Sequence, residues 1–417
     1  MTKPGPAVNA PLDWLNFLLA DVTGGAGPFL AIYLMAGQQW SAGRIGIVLT
    51  VAGIATVLAR GPAGAFVDAT VRKRTLIAAS SLVVGIAVTI TALVPSFWPV
   101  MIAQAAAGLA DAVFPPAVAA ISLGIFGRAV FSGRIGRNEA FNHLGNAVTA
   151  IVAGIAGYLI APVAVLWVVA VLALASAVAA YTIDGNSIDH GLARGADDGN
   201  AGDEPKRFGP LLKSRPLLLF TAAITLFHFA NAAMLPLLGE KLSQGHQEAS
   251  SLFMAACIIT AQVVMVPMAL LVGHKADTWG RKPLFLAGFA VLPVRGLLYL
   301  VTQNPYLLVS IQVLDGIGAG IFGALFFLVV ADLTRGTGHY NLALGAAGAC
   351  WGLGAAFSNG VAGLVVDAAG YSAAFLFLAG CAIVAFLTFW VGVPETLNWR
   401  GRVPLGSGVI SSSAAVD

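Results

Sequence analysis

Three aspartates lie inside long apolar stretches of the chain, where an ionised side chain is unusual. Asp21, Asp111 and Asp315 are each flanked by runs of hydrophobic and small residues. Burying an ionised group in apolar surroundings is costly unless the group is paired or hydrated. A carboxylate in a cavity can exchange a proton or bind a cation, and we predict this role first for Asp21 and Asp111. The alternative for Asp21 is a structural hydrogen bond at a helix kink, since glycines and Pro28 follow it closely.

Two polar stripes run along otherwise apolar helices. The first comprises Glu139, Asn142, His143 and Asn146, whose spacings of three and four place them on one helix face. The second comprises Thr221, Thr225, His228 and Asn231. We expect both stripes to line a cavity, with Gln262 and Asn359 as further candidates. Two alternatives stay open, because Glu139 could pair with Arg134 or Arg137 and a lone histidine is more often a helix contact.

The same side chains include ligands for divalent cations, but their spacing is not that of a metal site. If a metal is carried, His143, His228 and Asp21 are the expected ligands. The cysteines stand singly inside apolar runs, without a CxxC motif. The sequence also lacks a GxxxxGK[ST] nucleotide loop and the HExxH and GxSxG motifs. It therefore predicts neither an enzyme nor a cofactor.

The elements that position these residues are membrane helices. Of the 417 residues, 58% are hydrophobic and only 10% are charged, with a mean hydropathy of +0.87. An average soluble domain carries ~25% charged residues, and a helix that crosses a bilayer needs ~20 mostly apolar residues. By that measure the sequence predicts twelve spans, at 12–35, 43–67, 75–94, 97–124, 138–160, 162–182, 216–239, 250–273, 283–302, 305–331, 341–366 and 371–393.

One polar stretch, rich in Gly, Asp and Glu, divides the spans six and six. We expect an N-terminal six-helix bundle over 1–183, a flexible linker over 184–214, a C-terminal six-helix bundle over 215–400 and a disordered tail over 401–417. Lys and Arg gather in alternate loops, and the excess of positive charge marks the cytoplasmic side. The linker and both termini are therefore expected in the cytoplasm.

The two halves repeat a charged loop. Gly64, Asp68 and Arg72 of the first half correspond to Gly273, Asp277 and Arg281 of the second, each pair 209 residues apart. The second copy adds Gly280 and Lys282. Two parallel halves of this kind predict a solute site at their interface, near the middle of the membrane.

The residue types of the repeated loop suit a latch between helix ends. Glycine lets two helix ends approach, and the aspartate can pair with the basic residues or sit at a neighbouring helix N-terminus, where negative charge is favoured. We predict that the loops hold one access state closed. The alternative is that the basic residues only set the topology.

Loops, halves and spans together resemble the major facilitator superfamily over the whole chain. The resemblance implies an all-α membrane protein of twelve helices in two six-helix bundles, with a cavity lined mainly by spans one, four, seven and ten. It also implies alternating access in the cytoplasmic (inner) membrane. Drug/proton antiporters of the family carry arginine where this chain has Gln104, and a Gly-Pro motif that span five here lacks.

We therefore expect a secondary active transporter that moves a small solute by alternating access. The preferred version is proton-coupled efflux, by antiport, of small organic or toxic compounds. The alternatives are transport of divalent metal cations or metal complexes, proton-coupled uptake of a metabolite, and a membrane receptor that carries nothing. Expected partners are the solute, protons and the lipid bilayer, with no nucleic acid, and the chain is expected to work as a monomer. Arg295 in span nine either pairs inward with a carboxylate or snorkels outward.

Overall fold

The computed structural model describes residues 6–23, 27–194, 214–245, 248–335 and 340–397. Within these ranges the long regular elements are all helices, as expected for backbone that must satisfy its own hydrogen bonds in lipid. The first half contains α1 (Pro6–Leu19), α2 (Gly27–Ile32) with a π-helical turn (Tyr33–Gly37), α3 (Ala42–Ala69), α4 (Lys73–Leu93), α5 (Phe97–Asp111), α6 (Phe114–Phe126), α7 (Arg128–Leu159) and α8 (Ala164–Thr182). The second half contains α9 (Arg215–Ala232), α10 (Met234–Gly245), α11 (Ser250–Trp279), α12 (Arg281–Val301), α13 (Pro305–Leu333) and α14 (Tyr340–Gly392).

These helices supply the twelve spans. In the described part of the chain, nine stretches are long and apolar enough to cross a membrane. The last of them is two spans, because α14 turns at Gly370, whose φ of 84° is unfavourable for residues with a side chain. Two more spans come from α1 with α2 and from α7. The predicted all-helical membrane fold of two six-helix bundles is confirmed.

Spans one, four and seven are interrupted near their middle. Span four breaks between α5 and α6, where prolines occupy the first turn of α6, and span seven breaks at Ala233 between α9 and α10. A proline lacks an N–H and is tolerated in a first helical turn. These breaks place Asp111 at the end of α5 and Asn231 in the last turn of α9. Interrupted helices at membrane depth are found where they line a cavity.

The start of the predicted linker is folded. Residues 184–194 form two 3₁₀ turns, and Ile188 and Ala193 are buried with the first half's core. The Asp189 N–H donates to Gly124 O at 3.0 Å, which fixes this segment to the end of α6. The expectation of a flexible linker from residue 184 thus differs from the structure, because two apolar residues find a place to pack. Residues 195–213 and the tail over 401–417 lie outside the described ranges.

A buried ion pair ties the beginning of span one to the beginning of span five. Asp13 of α1 accepts from Arg134 Nη2 and from Arg137 Nη2 of α7, each at 2.6 Å. Arg134 also donates to Asn138 Oδ1, which completes a network that is almost closed to solvent. The side chain of Arg134 is 2% exposed, whereas that of Arg137 is 51% exposed. Arg134 should therefore carry most of the stabilisation.

We expect Arg134→Ala to destabilise the protein by ~3–5 kcal/mol, because it leaves part of the Asp13 charge uncompensated in a buried place. Arg137→Ala should cost at most ~1 kcal/mol, since its pair is screened by solvent and Arg134 remains. Thermal unfolding of the purified variants in one detergent checks both. Equal losses would show that burial does not set the strength of this network.

Candidate functional site

A cavity of about 380 Å³ lies between the two halves, at the level of the interrupted helices. Spans one, two, four and seven form most of its wall, and spans nine, ten and eleven contribute single residues. Its polar lining comprises Thr56, Gln104, Asp111, Asn231, Arg295, Asp315 and Asn359. Its apolar lining includes Pro28, Leu49, Leu235 and Pro236. The combination of apolar walls and a few polar groups is typical of small-molecule sites.

Three of the lining residues form one network. Asp315 of α13 pairs with Arg295 of α12, and Arg295 Nη2 donates to Asn231 Oδ1 of α9 at 2.8 Å. Arg295 is 1% exposed, so its charge is compensated almost entirely by these partners. Of the two alternatives for Arg295, the structure shows the inward one. The Asp315 side chain thus lies beside a guanidinium that is held by its contacts with Asp315 and Asn231.

The amide side chains of the lining keep acceptor atoms available. Gln104 Nε2 donates to Thr91 Oγ1 at 3.3 Å, and Asn359 Nδ2 donates to Ala355 O at 3.3 Å. Asn359 Oδ1 is buried and has no hydrogen-bond partner among the described residues. Because a buried polar atom without a partner is unfavourable, a donor on a bound solute would be favoured at this position.

Asp21 lies outside the cavity lining, in the turn that follows α1. The Thr149 side chain of α7 hydrogen-bonds to it. When the side-chain amide of Asn146 is oriented so that its oxygen and its nitrogen both have partners, its nitrogen donates to Asp21 Oδ1 at 3.2 Å. Asn142 neighbours Asn146. Asp21 therefore meets part of the span-five stripe, and both sequence interpretations, proton exchange and a hydrogen bond at a kink, fit this position.

The rest of the span-five stripe divides between two places. His143 Nδ1 lies 3.0 Å from Gln262 Oε1 of α11, so this pair joins the two halves. Glu139 is exposed near the start of the span. The suggested pairing of Glu139 with Arg134 or Arg137 is wrong, because both arginines bind Asp13.

His228 belongs to an aromatic cluster rather than to the cavity lining. Its ring stacks on Trp351 at 4.3 Å and meets the edge of Phe322 at 4.5 Å. Arg60 of the first half lies over the Trp351 ring, with its Cζ atom 5.6 Å from the ring centroid. The cluster therefore links α9, α13 and α14 to α3.

The expected metal ligands do not meet. His143 contacts Gln262, His228 contacts Trp351, and Asp21 contacts Asn146. Across the described ranges, no three His, Cys, Asp or Glu side chains are grouped so that they could hold a metal ion. The geometry thus gives the metal hypothesis no support.

Three polar lining residues were not among those predicted to line the cavity: Thr56, Gln104 and Arg295. Gln104 carried a usable signal, because the second half repeats it as Gln312. Arg295 carried the signal of a charged residue inside an apolar span, which left its inward and outward alternatives open. Thr56 carried no signal, because a threonine inside a helix satisfies its hydroxyl locally, here on Ala52 O at 3.1 Å.

The second copy of the charged loop forms a network of ion pairs. Arg281 pairs with Asp277 at 2.7 Å and with Asp332 of α13 at 3.3 Å. Glu395 accepts from the backbone N–H groups of Arg281 and Lys282 at 2.9 and 3.0 Å, which caps the N-terminus of α12. This network ties together four segments of the second half.

Glycine is required at the turn that opens this network. Gly280 has φ of 90°, and a side chain there would strike the Glu395 carboxylate. Gly273, by contrast, is exposed with open space around it. The structure thus explains Gly280 better than it explains Gly273.

The first copy of the loop is arranged differently. Asp68 and Arg72 have exposed side chains, and Gly64 has open space around it. The neighbouring Lys73 is buried and donates from Nζ to Thr70 O at 2.7 Å. In the first copy a lysine therefore binds backbone carbonyl groups. In the second copy carboxylates bind the arginine side chain and backbone N–H groups.

At the opposite end of the molecule from these loops, the halves meet along α3 and α14. Asp367 of α14 accepts from Ser41 Oγ at 2.9 Å and from Gly43 N at 3.0 Å, at the N-terminus of α3. Further along, Gly360 N donates to Thr50 Oγ1 at 2.9 Å. We call this contact the α3–α14 seam. It joins the halves on one side of the cavity.

Twelve spans in two halves around a polar cavity define a multi-pass membrane transporter. A family model described as Major Facilitator Superfamily matches residues 13–267 and 229–404. Two curated relatives are uncharacterized MFS-type transporters of Mycobacterium tuberculosis, from strains CDC 1551 and H37Rv. Each is 50% identical over 400 residues, which covers 95% of this chain and 96% of the relative. The chain belongs to the Major Facilitator Superfamily.

Solved structures agree on the fold. A point mutant of the nucleoside transporter NupG matches with a TM-score of 0.77 and 16% identity, covering 92% of this chain and 99% of its own. A D-xylose-proton symporter matches with a TM-score of 0.71 and 11% identity, covering 94% and 98%. At these identities the likeness establishes the architecture alone.

The network at Arg281 predicts which of its acids matters more. Asp332→Asn should impair transport more than Asp277→Asn, because the Asp332 side chain is 14% exposed and that of Asp277 is 78% exposed. Initial rates of solute uptake in proteoliposomes with matched protein content check the order. If Asp277→Asn has the larger effect, burial does not set the strength of the latch.

Proposed function

We propose that this transporter moves a small, hydroxyl-rich polar solute through the central cavity by alternating access coupled to protons. The observation that carries the proposal is the polar lining, which three amides, two aspartates, an arginine and a threonine form at the interface of the halves. Groups of this kind recognise hydroxyl and carbonyl groups, since they offer both donors and acceptors. A solute of sugar or nucleoside type has such groups around its perimeter.

The size and apolar walls of the cavity support the same class. A volume of about 380 Å³ falls within the ~300–1,000 Å³ of small-molecule sites. Leu49, Leu235 and the prolines would pack against the ring of a sugar or base. Solved relatives of the same fold are named a nucleoside transporter and a D-xylose-proton symporter, which is compatible with this class.

Asp111 is our choice for the proton-coupling group. Among the described residues that line the cavity, the charged ones are Asp111, Asp315 and Arg295. Asp315 and Arg295 pair with each other, and Asp111 is the other carboxylate among the described lining residues. Protonation of Asp111 would lower the charge that the site carries while it changes its access. Asp21, held by Thr149 and Asn146, is the second choice.

Efflux by proton antiport, preferred from the sequence, is the second candidate. The apolar part of the lining favours it, because Leu49, Leu235 and Pro236 could accept apolar surface of an organic compound. The two candidates differ in the sign of coupling. Symport accumulates solute on the side to which protons flow, and antiport expels it from that side.

The Lys and Arg distribution supports an orientation with the charged loops in the cytoplasm. In that orientation the α3–α14 seam lies at the outer face of the inner membrane, and both termini lie in the cytoplasm. We further propose that one chain suffices for transport, since the cavity is built entirely from the two halves of one chain.

Accumulation of radiolabelled uridine and D-xylose in proteoliposomes under an imposed pH gradient tests the proposal. We expect accumulation driven by inward proton flow in the wild type. Asp111→Asn should abolish it, because the side chain can no longer exchange a proton. Counterflow, which needs solute binding but no gradient, should persist in Asp111→Asn.

Asp184→Asn is the matched control, since Asp184 is an exposed carboxylate in the segment after α8. It should behave as wild type. Gradient-driven accumulation that survives in Asp111→Asn would remove Asp111 from coupling. Proton-driven expulsion of solute would replace symport by the second candidate.

A further inference from the structure

The Arg295–Asp315 pair is unusual because the fold does not require it. The two halves repeat one contact between their third and fourth spans. In the second half, Gln312 Nε2 donates to Tyr299 Oη at 2.6 Å. In the first half, Gln104 Nε2 donates to Thr91 Oγ1 at 3.3 Å. The two contacts are equivalent, since Thr91 and Tyr299, like Gln104 and Gln312, are 208 residues apart.

This equivalence identifies what the first half has in place of the ion pair. Arg295 precedes Tyr299 by four residues, and Ala87 precedes Thr91 by four. Asp315 follows Gln312 by three residues, and Ala107 follows Gln104 by three. Both alanines are buried, at 2% and 5% exposure. The same pair of helices is therefore built in one half with two alanines and in the other with two opposite charges.

The energetics of buried ion pairs indicate why this difference between the halves matters. A buried ion pair is a poor source of stability, because desolvation of both charges offsets their attraction. Its replacement by apolar residues is often neutral or stabilising. Charged residues within spans usually serve transport rather than folding. The pair in the second half is thus retained for something other than packing.

The surroundings of the pair point to a ligand. Both residues line the central cavity. Arg295 Nε is buried without a hydrogen-bond partner among the described residues, although the guanidinium already contacts Asp315 and Asn231. The Asp315 side chain is 19% exposed, so part of the carboxylate remains accessible. The pair therefore offers a fixed acceptor beside a donor with unused capacity.

We propose that Arg295 and Asp315 are the recognition pair for adjacent hydroxyl groups of the solute. This inference rests on the proposed function and specifies its site. The Asp315 carboxylate accepts from the hydroxyls, and the guanidinium donates to an oxygen of the same edge. Asp315 pairs with Arg295, and we assign Asp315 to binding solute rather than to exchanging the coupling proton. Solutes without two neighbouring hydroxyls lose both contacts.

The double variant Arg295→Ala/Asp315→Ala tests the inference, because it gives the second half the alanines that the first half already has. We expect it to unfold at the same temperature as wild type or higher, in the same detergent. Its KM for uridine should rise at least about tenfold, since a lost charged hydrogen bond commonly has that effect. Normal transport, or a folded double variant that unfolds at a lower temperature than wild type, overturns the inference.

Solute analogues separate recognition from general damage. Wild type should be inhibited by uridine much more strongly than by 2′,3′-dideoxyuridine, and the double variant should lose this discrimination. Equal discrimination by both proteins contradicts a recognition role. If the double variant does not fold, Arg295→Lys decides, because lysine keeps the charge but not the planar fork of donors. An unchanged KM for uridine in Arg295→Lys then overturns the inference.

If the proposed function is wrong, these experiments give a different result. In that case wild type accumulates neither uridine nor D-xylose under either direction of the pH gradient. The unfolding temperature of the double variant then still tests whether the ion pair serves the fold. A value below that of wild type shows that the charges serve the fold, and an equal or higher value supports their retention for binding.

Discussion

An ionised side chain in hydrocarbon has to be paired or to face water, and this constraint accounts for where the polar residues of the molecule lie. Arg295 is nearly inaccessible, and Asp315 and Asn231 hold it. Asp13 is equally buried, and two arginines bind it. Thr56, Gln104, Asp111 and Asn359 lie at the interface between the halves, where a cavity replaces lipid. The described residues thus offer a solute a polar site in this cavity.

Alternating access needs contacts that can be made and broken at both ends of this interface. The α3–α14 seam supplies such contacts at one end, where Asp367 binds the N-terminus of α3. At the other end, the Arg281 network fixes the helix ends of the second half. Both use charge-assisted hydrogen bonds to helix N-termini. The seam joins the two halves, whereas the Arg281 network joins segments of the second half.

Much of the fold was predictable, because the spans are continuous apolar runs and the charged loops repeat. The positions of Asp111, Asn231 and Asp315 at the cavity also followed from polar residues in spans four, seven and ten. What the sequence could not show is which polar residues meet. Arg134 binds Asp13, 121 residues away, instead of the nearby Glu139, because packing of α1 on α7 decides the partner.

The placement of His228 in an aromatic cluster could not be predicted for the same reason, since tertiary packing decides it. Spacing placed His228 on one face with Asn231, but Trp351 packs on His228 whereas Arg295 binds Asn231. Periodicity gives the face of a helix and not the neighbours of that face. The folded start of the linker was missed for a related reason, since two apolar residues in a polar segment were enough to pack it on α6.

The claim that the halves move about the central cavity is tested most directly by a distance between them. Spin labels at Arg44→Cys and Gln303→Cys, both exposed at the seam end, report this distance in nanodiscs when the native cysteines are replaced. Pulsed electron paramagnetic resonance should show two distance populations whose proportions change with pH and with the transported solute. A single distance under all of these conditions would contradict the account.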